Sequence, residues 1–463
     1  MEPATVETAG SGARAAMNAP RALNSEDYAL FCDEYEITMA QSFWKHDQNQ
    51  PASFEMFVRH LPEHRGYLVC AGLEQVLAHL LRLRFSDADL EYLAAQQIYD
   101  ATFLAFLRNV RFSGRVDAIA EGTVVGAETP MLRVSAPRIE ATLVESALLA
   151  VVNHQTSIAS KTSRVVTAAR GRPVWDFSLR RVHGPDAGLA VARAAYIGGA
   201  AGSATVVAGQ RLGIPTTGTM AHHYVLMFGP DGEQAAFEQF LRDYPSRAVL
   251  LVDTFDTLRG VDRAIAASDV TGVALAGVRL DSGDIDELSR AVRQRLDAAG
   301  LREAQIIASG DLDERMIDVL MQHDAPVDAF GVGTMLGTSY DAPALGGVFK
   351  LVAQEEHGRM QPVMKHSTAK ENEPGEHQVF RTDSGDVLTL EDDVQPGVPL
   401  ISTVMEHGRI TQSSPHLAAI REHCRREVAA LPEDVRRIDD PRPVRIRRSP
   451  ALQELRVRLG GAM

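Results

Sequence analysis

Polar residues and glycines follow five apolar segments at the point where each predicted strand ends. Their types are those that bind phosphate, sugar or metal: carboxylates, hydroxyls, arginines and glycine-rich backbone. In a βα barrel the carboxyl ends of the strands meet at one rim, where active sites are built, so we expect these side chains to lie together. The five motifs that follow the apolar segments are Ser178-Leu179-Arg180-Arg181, Asp253-Thr254-Phe255-Asp256-Thr257, Asp281-Ser282-Gly283-Asp284, Ser309-Gly310-Asp311 and Gly331-Val332-Gly333-Thr334.

Each of these motifs also has a purely structural explanation. Asp-Ser-Gly at 281–283 and Ser-Gly-Asp at 309–311 are common helix-capping turns, and taken singly each is more often a cap than a site. The stretch 331–334 resembles the start of a dinucleotide fingerprint, but it comes late in the chain, which weakens that interpretation. The same chemistry after five independent strands favours a site over capping alone.

The glycine loops and the arginines indicate a ligand that carries phosphate. The loops at 309–311 and 331–334 suit a phosphate held by backbone N–H groups, as found after the last strands of many barrels. Arg180, Arg181 and Arg279 suit further phosphate or carboxylate oxygens, because a guanidinium binds such groups through two parallel hydrogen bonds.

Two carboxylates and two adjacent histidines add further chemistry. Asp253 and Asp281 suit sugar hydroxyls or a magnesium ion. His222 and His223 close the glycine-rich segment 213–223, where no third ligand with convincing spacing supports a metal site. A nucleophilic or phosphate-contacting histidine is the better functional interpretation, and a structural histidine is an equally good alternative.

Strands and helices alternate between residues 140 and 351. The strands are predicted from short apolar runs and the helices from their 3.6-residue periodicity. Buried parallel strands joined by helices predict a βα barrel or a doubly wound sheet. The predicted strands are 173–177, 248–252, 272–280, 305–308, 327–330 and 346–352, and helices among them are predicted over 186–197, 284–298 and 312–321.

The rest of the chain predicts an α+β domain and a C-terminal region. Phe31, Tyr35, Met39 and Phe43 recur at four-residue spacing and predict a helix over 25–44 with a core-facing side. The other predicted elements are strands over 54–61 and 67–71, a helix over 74–85, short antiparallel strands between 112 and 137, edge strands near Val379 and Val387, and a helix over 415–431. The expected division is a disordered leader (1–20), an N-terminal α+β domain (21–139), an α/β barrel (140–353), and C-terminal strands and a helical tail packing on the first two (354–463).

The charge composition of the chain indicates which classes of binding partner to expect. The 463 residues carry 47 Lys and Arg against 61 Asp and Glu, a net charge of −14. Nucleic acid and anionic membranes repel such a chain, so neither is expected as its main partner. Five of the cations are lysines and 47 − 5 = 42 are arginines, which suit phosphate and carboxylate binding. No apolar run approaches the ~18 residues of a membrane span and the three cysteines are far apart, which predicts a cytoplasmic protein without a disulfide framework.

The ordered motifs resemble the nicotinate phosphoribosyltransferase family from about residue 27 to the C-terminus. The segments that carry the resemblance are CDEYEITMAQSFW (32–44), DFSLRR (176–181), AAYIGGA (194–200), GIPTTGTMAHH (213–223), LLVDTFDT (250–257), VRLDSGDI (278–285), IIASGDLDE (306–314), FGVGT (330–334) and FKLV (349–352). The resemblance implies an irregular α/β barrel of the type II phosphoribosyltransferase kind, with an α+β domain built mainly from the N-terminal third. It also implies a homodimer whose active sites are shared between subunits.

The implied reaction is ATP-coupled transfer of a phosphoribosyl group from phosphoribosyl pyrophosphate to nicotinate. The products are nicotinate mononucleotide and pyrophosphate, in NAD salvage by an ATP-hydrolysing enzyme of the ligase class. The resemblance implies that ATP phosphorylates His222 and that Phe177 and Tyr35 of the partner subunit sandwich the pyridine ring. Asp253 and Asp281 are implied beside the ribose and its magnesium pyrophosphate, and with His222 and Arg180 they form the expected catalytic set. The other implied substrate contacts are Arg181, Thr219, Arg279, Ser309, Gly310, Gly333 and Thr334.

Three alternatives stay open. A related transferase could use nicotinamide or another pyridine, although Ala204 stands about where nicotinamide-using relatives carry an acidic residue. A non-catalytic paralogue that senses the nucleotide has no evident need for His222. A barrel with a lysine Schiff base is a weaker alternative, because neither Lys161 nor Lys350 ends a strand beside a matching acid or base.

Overall fold

The computed structural model describes residues 28–365 and 372–460, so the predicted leader lies outside the described residues. The helices are α1 (Glu34–Lys45), α2 (Leu73–Arg82), α3 (Asp87–Ala95), α4 (Ala101–Leu107), α5 (Arg138–Thr142), α6 (Glu145–Ala168), α7 (Pro185–Ile197), α8 (Val206–Leu212), α9 (His222–Leu226), α10 (Glu233–Asp243), α11 (Thr257–Thr271), α12 (Ile285–Ala298), α13 (Glu314–Gln322), α14 (Thr334–Gly337), α15 (Leu417–Ala430), α16 (Glu433–Arg436) and α17 (Pro450–Gly460). The strands are β1 (Pro51–Val58), β2 (Leu68–Val69), β3 (Arg115–Ile119), β4 (Val124–Val125), β5 (Leu132–Pro137), β6 (Val174–Asp176), β7 (Gly202–Ser203), β8 (Val249–Leu251), β9 (Gly277–Leu280), β10 (Gln305–Ala308), β11 (Ala329–Val332), β12 (Gly347–Glu356), β13 (Arg359–Pro362), β14 (His377–Thr382), β15 (Gly385–Leu390), β16 (Val398–Pro399), β17 (Ile401–Glu406), β18 (Arg409–Ile410) and β19 (Arg447–Arg448). Within these ranges, none of the helices has both the length and the apolar character that crossing a membrane requires.

One antiparallel sheet collects strands from distant parts of the chain, in the order β13-β12-β1-β5-β3-β17-β18. Met56 of β1 and Phe103 of α4 are fully buried in the core that this sheet forms with the N-terminal helices. The strand predicted over 346–352 is β12, and the expectation that it belongs with the alternating strands is wrong. It pairs antiparallel with β1, where the ring of Phe349 stacks on that of Phe54 at 5.0 Å between centroids.

A second sheet is parallel and carries the strand-end motifs, in the order β7-β6-β11-β10-β9-β8. Helices α11, α12 and α13 connect β8 to β9, β10 and β11 in turn, which confirms the predicted alternation. Leu250, Val278 and Ile306 are fully buried, as expected for a parallel sheet covered by helices. Strand β9 begins at Gly277 rather than at 272, because Gly272 ends α11 in the left-handed conformation with φ of 67°.

The C-terminal sheet has the order β16-β14-β15-β19. Its strands near Val379 and Val387 lie at the predicted positions, but they are inner strands, not edge strands. The reason is that β16 covers β14 while β19, from the end of the chain, adds in parallel to β15. The helix predicted over 415–431 is α15. The division into domains at 139/140 and 353/354 stays a prediction.

Helix α1 ends at Lys45, close to the predicted residue 44, but it begins at Glu34 rather than Ser25. The prediction that its aromatic side faces the core holds only for Phe43, which is partly buried against the N-terminal core. It is wrong for Phe31, Tyr35 and Met39, which are 46%, 47% and 37% exposed. The positions that α1 buries instead are Glu36, Ile37, Ala40 and Gln41. Burial of a glutamate is possible here because the backbone N–H and the hydroxyl of Ser146 both donate to Glu36 Oε1.

Candidate active site

The strand-end motifs converge on a pocket of about 730 Å³ at the carboxyl ends of the parallel strands. Eleven of the thirteen candidate residues line it. These are Phe177, Arg180, Arg181, Thr219, His222, Arg279, Asp281, Ser309, Gly310, Gly333 and Thr334. Asp253 lies next to the lining residues, beside Asp281, whereas Tyr35 lies on α1 and does not reach the pocket. A larger cavity of about 940 Å³, against β15, β19 and α17, contains none of the candidates.

His222, Asp253 and Asp281 form a cluster. Nε2 of His222 lies 3.6 Å from Asp281 Oδ2 and 4.0 Å from Asp253 Oδ1. The side chain of Asp253 is buried, and its Oδ2 accepts hydrogen bonds from the Asp281 backbone N–H at 3.0 Å and from Ser282 Oγ at 2.6 Å. Its Oδ1 is buried without a hydrogen-bond partner among the described residues. The cluster therefore offers carboxylate oxygens to a sugar hydroxyl, a cation or the imidazole.

Thr254 orients the imidazole of His222. His222 is the first residue of α9, and its side chain is 39% exposed. Its Nδ1 lies 3.1 Å from Thr254 Oγ1, so Nε2 is the ring nitrogen near the carboxylates. Sequence reasoning placed Thr254 in a strand-end motif but assigned it no role, since only the fold brings the loop after β8 against α9.

Arg279 is a buried cation with unused hydrogen-bonding capacity. Its Nη1 donates to Thr219 Oγ1 at 2.9 Å, Nη2 lies 3.9 Å from Asp281 Oδ1, and Nε is buried with no partner among the described residues. Burial lowers the pKa of Arg279 and neighbouring Arg180 lowers it further, while Asp281 and Asp253 oppose that shift. A guanidinium that is desolvated and incompletely paired favours an anionic ligand.

Phe177 presents its ring to the pocket beside Arg279, whose guanidinium carbon lies 6.0 Å from the ring centroid. The strand order brings Phe177 against Gly331, where a Cβ would lie 2.4 Å from the ring. The preceding residue, Asp176, is buried, and its carboxylate accepts hydrogen bonds from Ser178 Oγ and Ser203 Oγ at 2.5 and 2.7 Å. Burial raises the pKa of Asp176, against the effect of these hydrogen bonds.

Asp176 was not singled out from the sequence, although a serine two residues later is a typical hydrogen-bond partner for an aspartate. Its contacts join β6 to β7, so they fix the backbone on both sides of Phe177. Ala204, which follows Ser203 in the chain, lines the pocket. Asp176 is therefore a support for the pocket wall.

The glycine loop after β10 approaches the loop after β9 very closely. Gly310 has φ of 87°, and a Cβ there would lie 1.9 Å from the carbonyl oxygen of Asp281. Asp311 follows with φ of 46°, so two successive residues are left-handed. Gly333 precedes α14 with φ of −104° and ψ of −105°. Residues of both loops, which the sequence assigned to phosphate, line the pocket, and left-handed backbone of this kind is typical of loops that bind an anion through N–H groups.

Family models match the chain in three consecutive blocks. The N-terminal domain of nicotinate phosphoribosyltransferase matches residues 30–153, and the C-terminal domain of that family matches 376–456. The C-terminal domain of quinolinate phosphoribosyl transferase matches residues 158–341 between them. A nicotinate phosphoribosyltransferase of Mycobacterium tuberculosis is 47% identical over 420 residues, which are 89% of each chain. The chain belongs to the nicotinate phosphoribosyltransferase family.

Further relatives agree with this assignment. The nicotinate phosphoribosyltransferase of Bacillus subtilis is 37% identical over 452 residues, 90% of this chain and 92% of the relative. The crystal structure of human nicotinic acid phosphoribosyltransferase aligns with a TM-score of 0.81 at 27% identity, covering 92% of this chain and 99% of the human one. Nicotinate-nucleotide pyrophosphorylase from Pyrococcus furiosus shares the fold, with a TM-score of 0.73 at 23% identity over 88% and 97% of the two chains. The predicted fold class, an α/β fold of the type II phosphoribosyltransferase kind, is confirmed.

In this member of the nicotinate phosphoribosyltransferase family, Tyr35 stands on an exposed apolar stripe. Tyr35 and Met39 are four residues apart in α1 and so lie on one side of the helix, and Phe31, just before α1, is also exposed. Exposed apolar side chains that lie close together are typical of a protein–protein contact. The expectation that Tyr35 serves the site of a partner subunit stays a prediction.

Asp253 and Asp281, which lie side by side at the pocket, are the carboxylates that a bound metal ion would contact. In residues 28–365 and 372–460, no group of three or more histidine, cysteine, aspartate or glutamate side chains is placed to hold a metal ion. The two carboxylates of Asp253 and Asp281 fit a magnesium ion that keeps several waters and takes its other ligands from a substrate phosphate.

Proposed function

We propose that this protein joins nicotinate to the phosphoribosyl group of phosphoribosyl pyrophosphate, giving nicotinate mononucleotide and pyrophosphate for NAD salvage. The observation that carries the proposal is Arg279, a buried and incompletely paired guanidinium beside the ring of Phe177. A flat aromatic ring that bears a carboxylate can stack on Phe177 and pair with Arg279 at the same time. The relatives of highest identity described above carry the same activity in their names.

The pyridine ring of nicotinate stacks on Phe177 in this proposal, with its carboxylate bound by Arg279. Arg180 and Arg181, which line the same pocket and are exposed, then bind phosphate oxygens. Ala204 offers no carboxylate to an amide, which agrees with an acid as substrate. Thr219 supports the assignment because its hydroxyl accepts a hydrogen bond from Arg279 and orients the guanidinium.

The phosphoribosyl group lies across the carboxylates and the two glycine loops. Asp253 and Asp281 face the ribose hydroxyls, while Ser309, Gly310, Gly333 and Thr334 surround its 5′-phosphate. The bond between the anomeric carbon and pyrophosphate breaks as the ring nitrogen of nicotinate bonds to that carbon. The ring nitrogen has a free lone pair, so no general base is needed, and catalysis comes from alignment and from stabilising the cationic sugar and the leaving group.

ATP acts as co-substrate through His222. A ring nitrogen attacks the terminal phosphorus of ATP, so an N–P bond forms, ADP leaves, and hydrolysis later returns the free imidazole. The described cluster supports this role because Thr254 orients the ring and the pocket is already shaped for phosphates. Phosphorylation places a dianion beside Asp253 and Asp281, which gives a physical reason for the site to rearrange during the cycle.

Magnesium, a second subunit and the location of the enzyme complete the proposal. Magnesium would be held by Asp253 and Asp281 and would neutralise the pyrophosphate. A homodimer would bring Tyr35 of the partner subunit onto the free face of the pyridine ring, since Tyr35 is exposed and does not reach the pocket of its own chain. We place the reaction in the cytoplasm, where ATP is available.

Product analysis tests the proposal. The purified protein is incubated with phosphoribosyl pyrophosphate and magnesium, with nicotinate, nicotinamide or quinolinate, each with and without ATP. We expect nicotinate mononucleotide and pyrophosphate from nicotinate, with more product when ATP is present. Preferred turnover of nicotinamide would overturn the substrate assignment. Absence of pyrophosphate release under every combination would instead favour a non-catalytic nucleotide sensor.

A further inference from the structure

A buried ion cluster outside the pocket joins the segments that follow the two glycine loops. Its cations are Lys161 and Arg164 on α6 and Arg65, from the loop between β1 and β2. Its carboxylates are Glu314 and Asp341. Arg65, Lys161 and Arg164 are only 4%, 2% and 2% exposed. None of the five residues lines the pocket.

Each carboxylate comes shortly after one of the loops. Glu314 is the first residue of α13 and stands three positions after Asp311, at the end of the first glycine loop. Asp341 stands four positions after α14, the short helix that begins at Thr334 in the second loop. The position of each carboxylate therefore restrains the glycine loop that precedes it in the chain.

Lys161 and Arg65 each contact both carboxylates. Nζ of Lys161 pairs with Glu314 Oε2 and lies 2.8 Å from Asp341 Oδ1. Arg65 binds Asp341 through two hydrogen bonds, of 2.6 and 3.0 Å, and its Nη1 lies 3.5 Å from Glu314 Oε1. Both carboxyls have lowered pKa values although burial opposes ionisation, because these cations stabilise the charged form.

The geometry resists relative movement of the loops. A shift of Glu314 away from Asp341 would break contacts to Lys161 and Arg65 and leave a buried charge without its partner, which is costly. Arg164 adds to the restraint: it donates to Glu314 Oε1 at 3.2 Å and to the carbonyl oxygens of Arg437 and Ile438. The same contacts remove Lys161 as a Schiff-base residue, since its amine is buried and ion-paired away from the pocket.

We propose that Lys161 and Arg65 are positioning residues that set the separation of the 309–311 and 333–334 loops and so the affinity for the ribose 5-phosphate part of the substrate. The inference rests on the proposed function, which assigns those loops to the 5′-phosphate. Arg65 lies in the block that matches the N-terminal domain model, and Lys161 in the block between the terminal domains. The N-terminal domain thus contributes to phosphate binding without touching the phosphate.

Calorimetric binding of ribose 5-phosphate and of nicotinate to the full-length protein tests the inference. The variants are Lys161→Gln, which removes the bridge, and Asp341→Asn, which removes one charge at a side chain that is 32% exposed and better able to tolerate it. We expect both variants to bind ribose 5-phosphate about tenfold more weakly, and nicotinate within about twofold of wild type. The KM for phosphoribosyl pyrophosphate should rise more than kcat falls.

Arg193→Gln is the matched control. Arg193 is another buried cation, on α7, and pairs with Glu121 at 2.6 Å, but it has no contact with either carboxylate of the cluster. This variant should lower the melting temperature as Lys161→Gln does while leaving the affinity for ribose 5-phosphate unchanged. If Lys161→Gln does not fold, Asp341→Asn decides the matter.

The outcomes separate the two proposals. If wild type makes nicotinate mononucleotide but Asp341→Asn binds ribose 5-phosphate normally, the positioning role is wrong and the proposed function stands. Equal weakening of both ligands, or the same weakening in Arg193→Gln, would show a general loss of structure and also contradict the positioning role. If wild type neither binds ribose 5-phosphate nor consumes phosphoribosyl pyrophosphate, both proposals are wrong.

Discussion

Nδ1 of His222 lies 3.1 Å from Oγ1 of Thr254, on the side of the ring away from the carboxylates of Asp253 and Asp281. A hydroxyl can donate or accept, so it holds the imidazole in either protonation state without adding charge. The acidic side of the ring behaves differently, because its interaction with the imidazole changes when the histidine gains a proton or a phosphoryl group. Thr254 therefore fixes the position of the His222 ring, whereas the interaction of the ring with Asp253 and Asp281 depends on the charge of the ring.

His222→Ala tests the nucleophile, and Thr254→Val tests its support. We expect His222→Ala to abolish ATP-dependent, acid-labile labelling of the protein and the stimulation by ATP. Thr254→Val keeps the shape but removes the hydrogen bond to Nδ1, and should slow labelling about tenfold while leaving ATP-independent product formation near wild type. Radiolabelled ATP with alkaline and acid quenches measures both. A His222→Ala variant that still labels would contradict the assignment.

Arg279→Lys keeps the charge but removes the planar fork. A lysine cannot both donate to Thr219 and bind a carboxylate through two parallel hydrogen bonds, so we expect the KM for nicotinate to rise about 30-fold. The KM for phosphoribosyl pyrophosphate should stay within about threefold, because Arg279 is assigned to the ring's carboxylate. Steady-state kinetics with each substrate varied in turn measures these two changes in KM. The opposite split would assign Arg279 to phosphate.

The position of the pocket could be predicted from the sequence, because its signals are local. Asp281 and Ser309 each directly follow a short apolar run, and parallel strands bring the carboxyl ends of such runs to one edge. The approach of Gly310 to the carbonyl of Asp281 explains why glycine is needed there, but that distance is a property of the folded chain. Residue types therefore indicated which loops form the pocket, and the sheet order determined how closely they meet.

Three features could not be predicted because their signals are not local. Strand β7 has two small residues and no apolar run, and it exists because Trp175 and Asp176 offer it a parallel edge. Strand β12 belongs to the antiparallel sheet because it packs against β1, where Phe349 stacks on Phe54, almost 300 residues earlier in the chain. Phe31, Tyr35 and Met39 have the four-residue periodicity of a buried face, yet they are exposed within one chain, because periodicity alone does not distinguish a core from an interface.

Gly310→Ala and Gly300→Ala form a matched pair for the glycine loop. Both positions have positive φ, 87° and 78°, so alanine costs about 1 kcal/mol at either for the left-handed backbone. A Cβ at 300 meets nothing within 4 Å, whereas one at 310 would overlap the carbonyl of Asp281 and force the loop to move. We expect Gly310→Ala to raise the KM for phosphoribosyl pyrophosphate at least about tenfold and Gly300→Ala to leave it unchanged. Equal effects would show that backbone strain alone, not the close approach, matters.

Glu36→Gln should stabilise the protein in a pH-dependent way. Burial raises the pKa of Glu36 from 4.5 to about 7, against hydrogen bonds from Ser146 that lower it. Between these values the folded state binds more protons than the unfolded state, so this group costs stability as pH rises from 4.5 to 7 and the cost is constant above 7. Removing the charge should add about 2 to 3 kcal/mol to the free energy of unfolding at pH 8 and about 1 kcal/mol near pH 5.

Urea unfolding of wild type and Glu36→Gln across this pH range measures the difference. Glu34→Gln, on the exposed side of the same helix, is the control and should leave the pH dependence of wild type unchanged. A gain from Glu36→Gln that is equal at pH 5 and pH 8 would show that ionisation of the buried carboxyl is not its source.

Mixed dimers test whether Tyr35 serves the partner's site. Tyr35→Ala and Phe177→Ala should each lose most activity, because each removes one face of the ring site. In a heterodimer of the two variants with shared sites, one site receives both mutations and the other receives none. A doubly tagged heterodimer should therefore regain about half of wild-type activity. Pairing Phe177→Ala with Arg279→Met gives the control, since both residues line the pocket of their own chain and neither site is then intact. Equal activity of the two heterodimers would contradict a shared site and would leave the exposed face of α1 with a role unrelated to the pyridine ring.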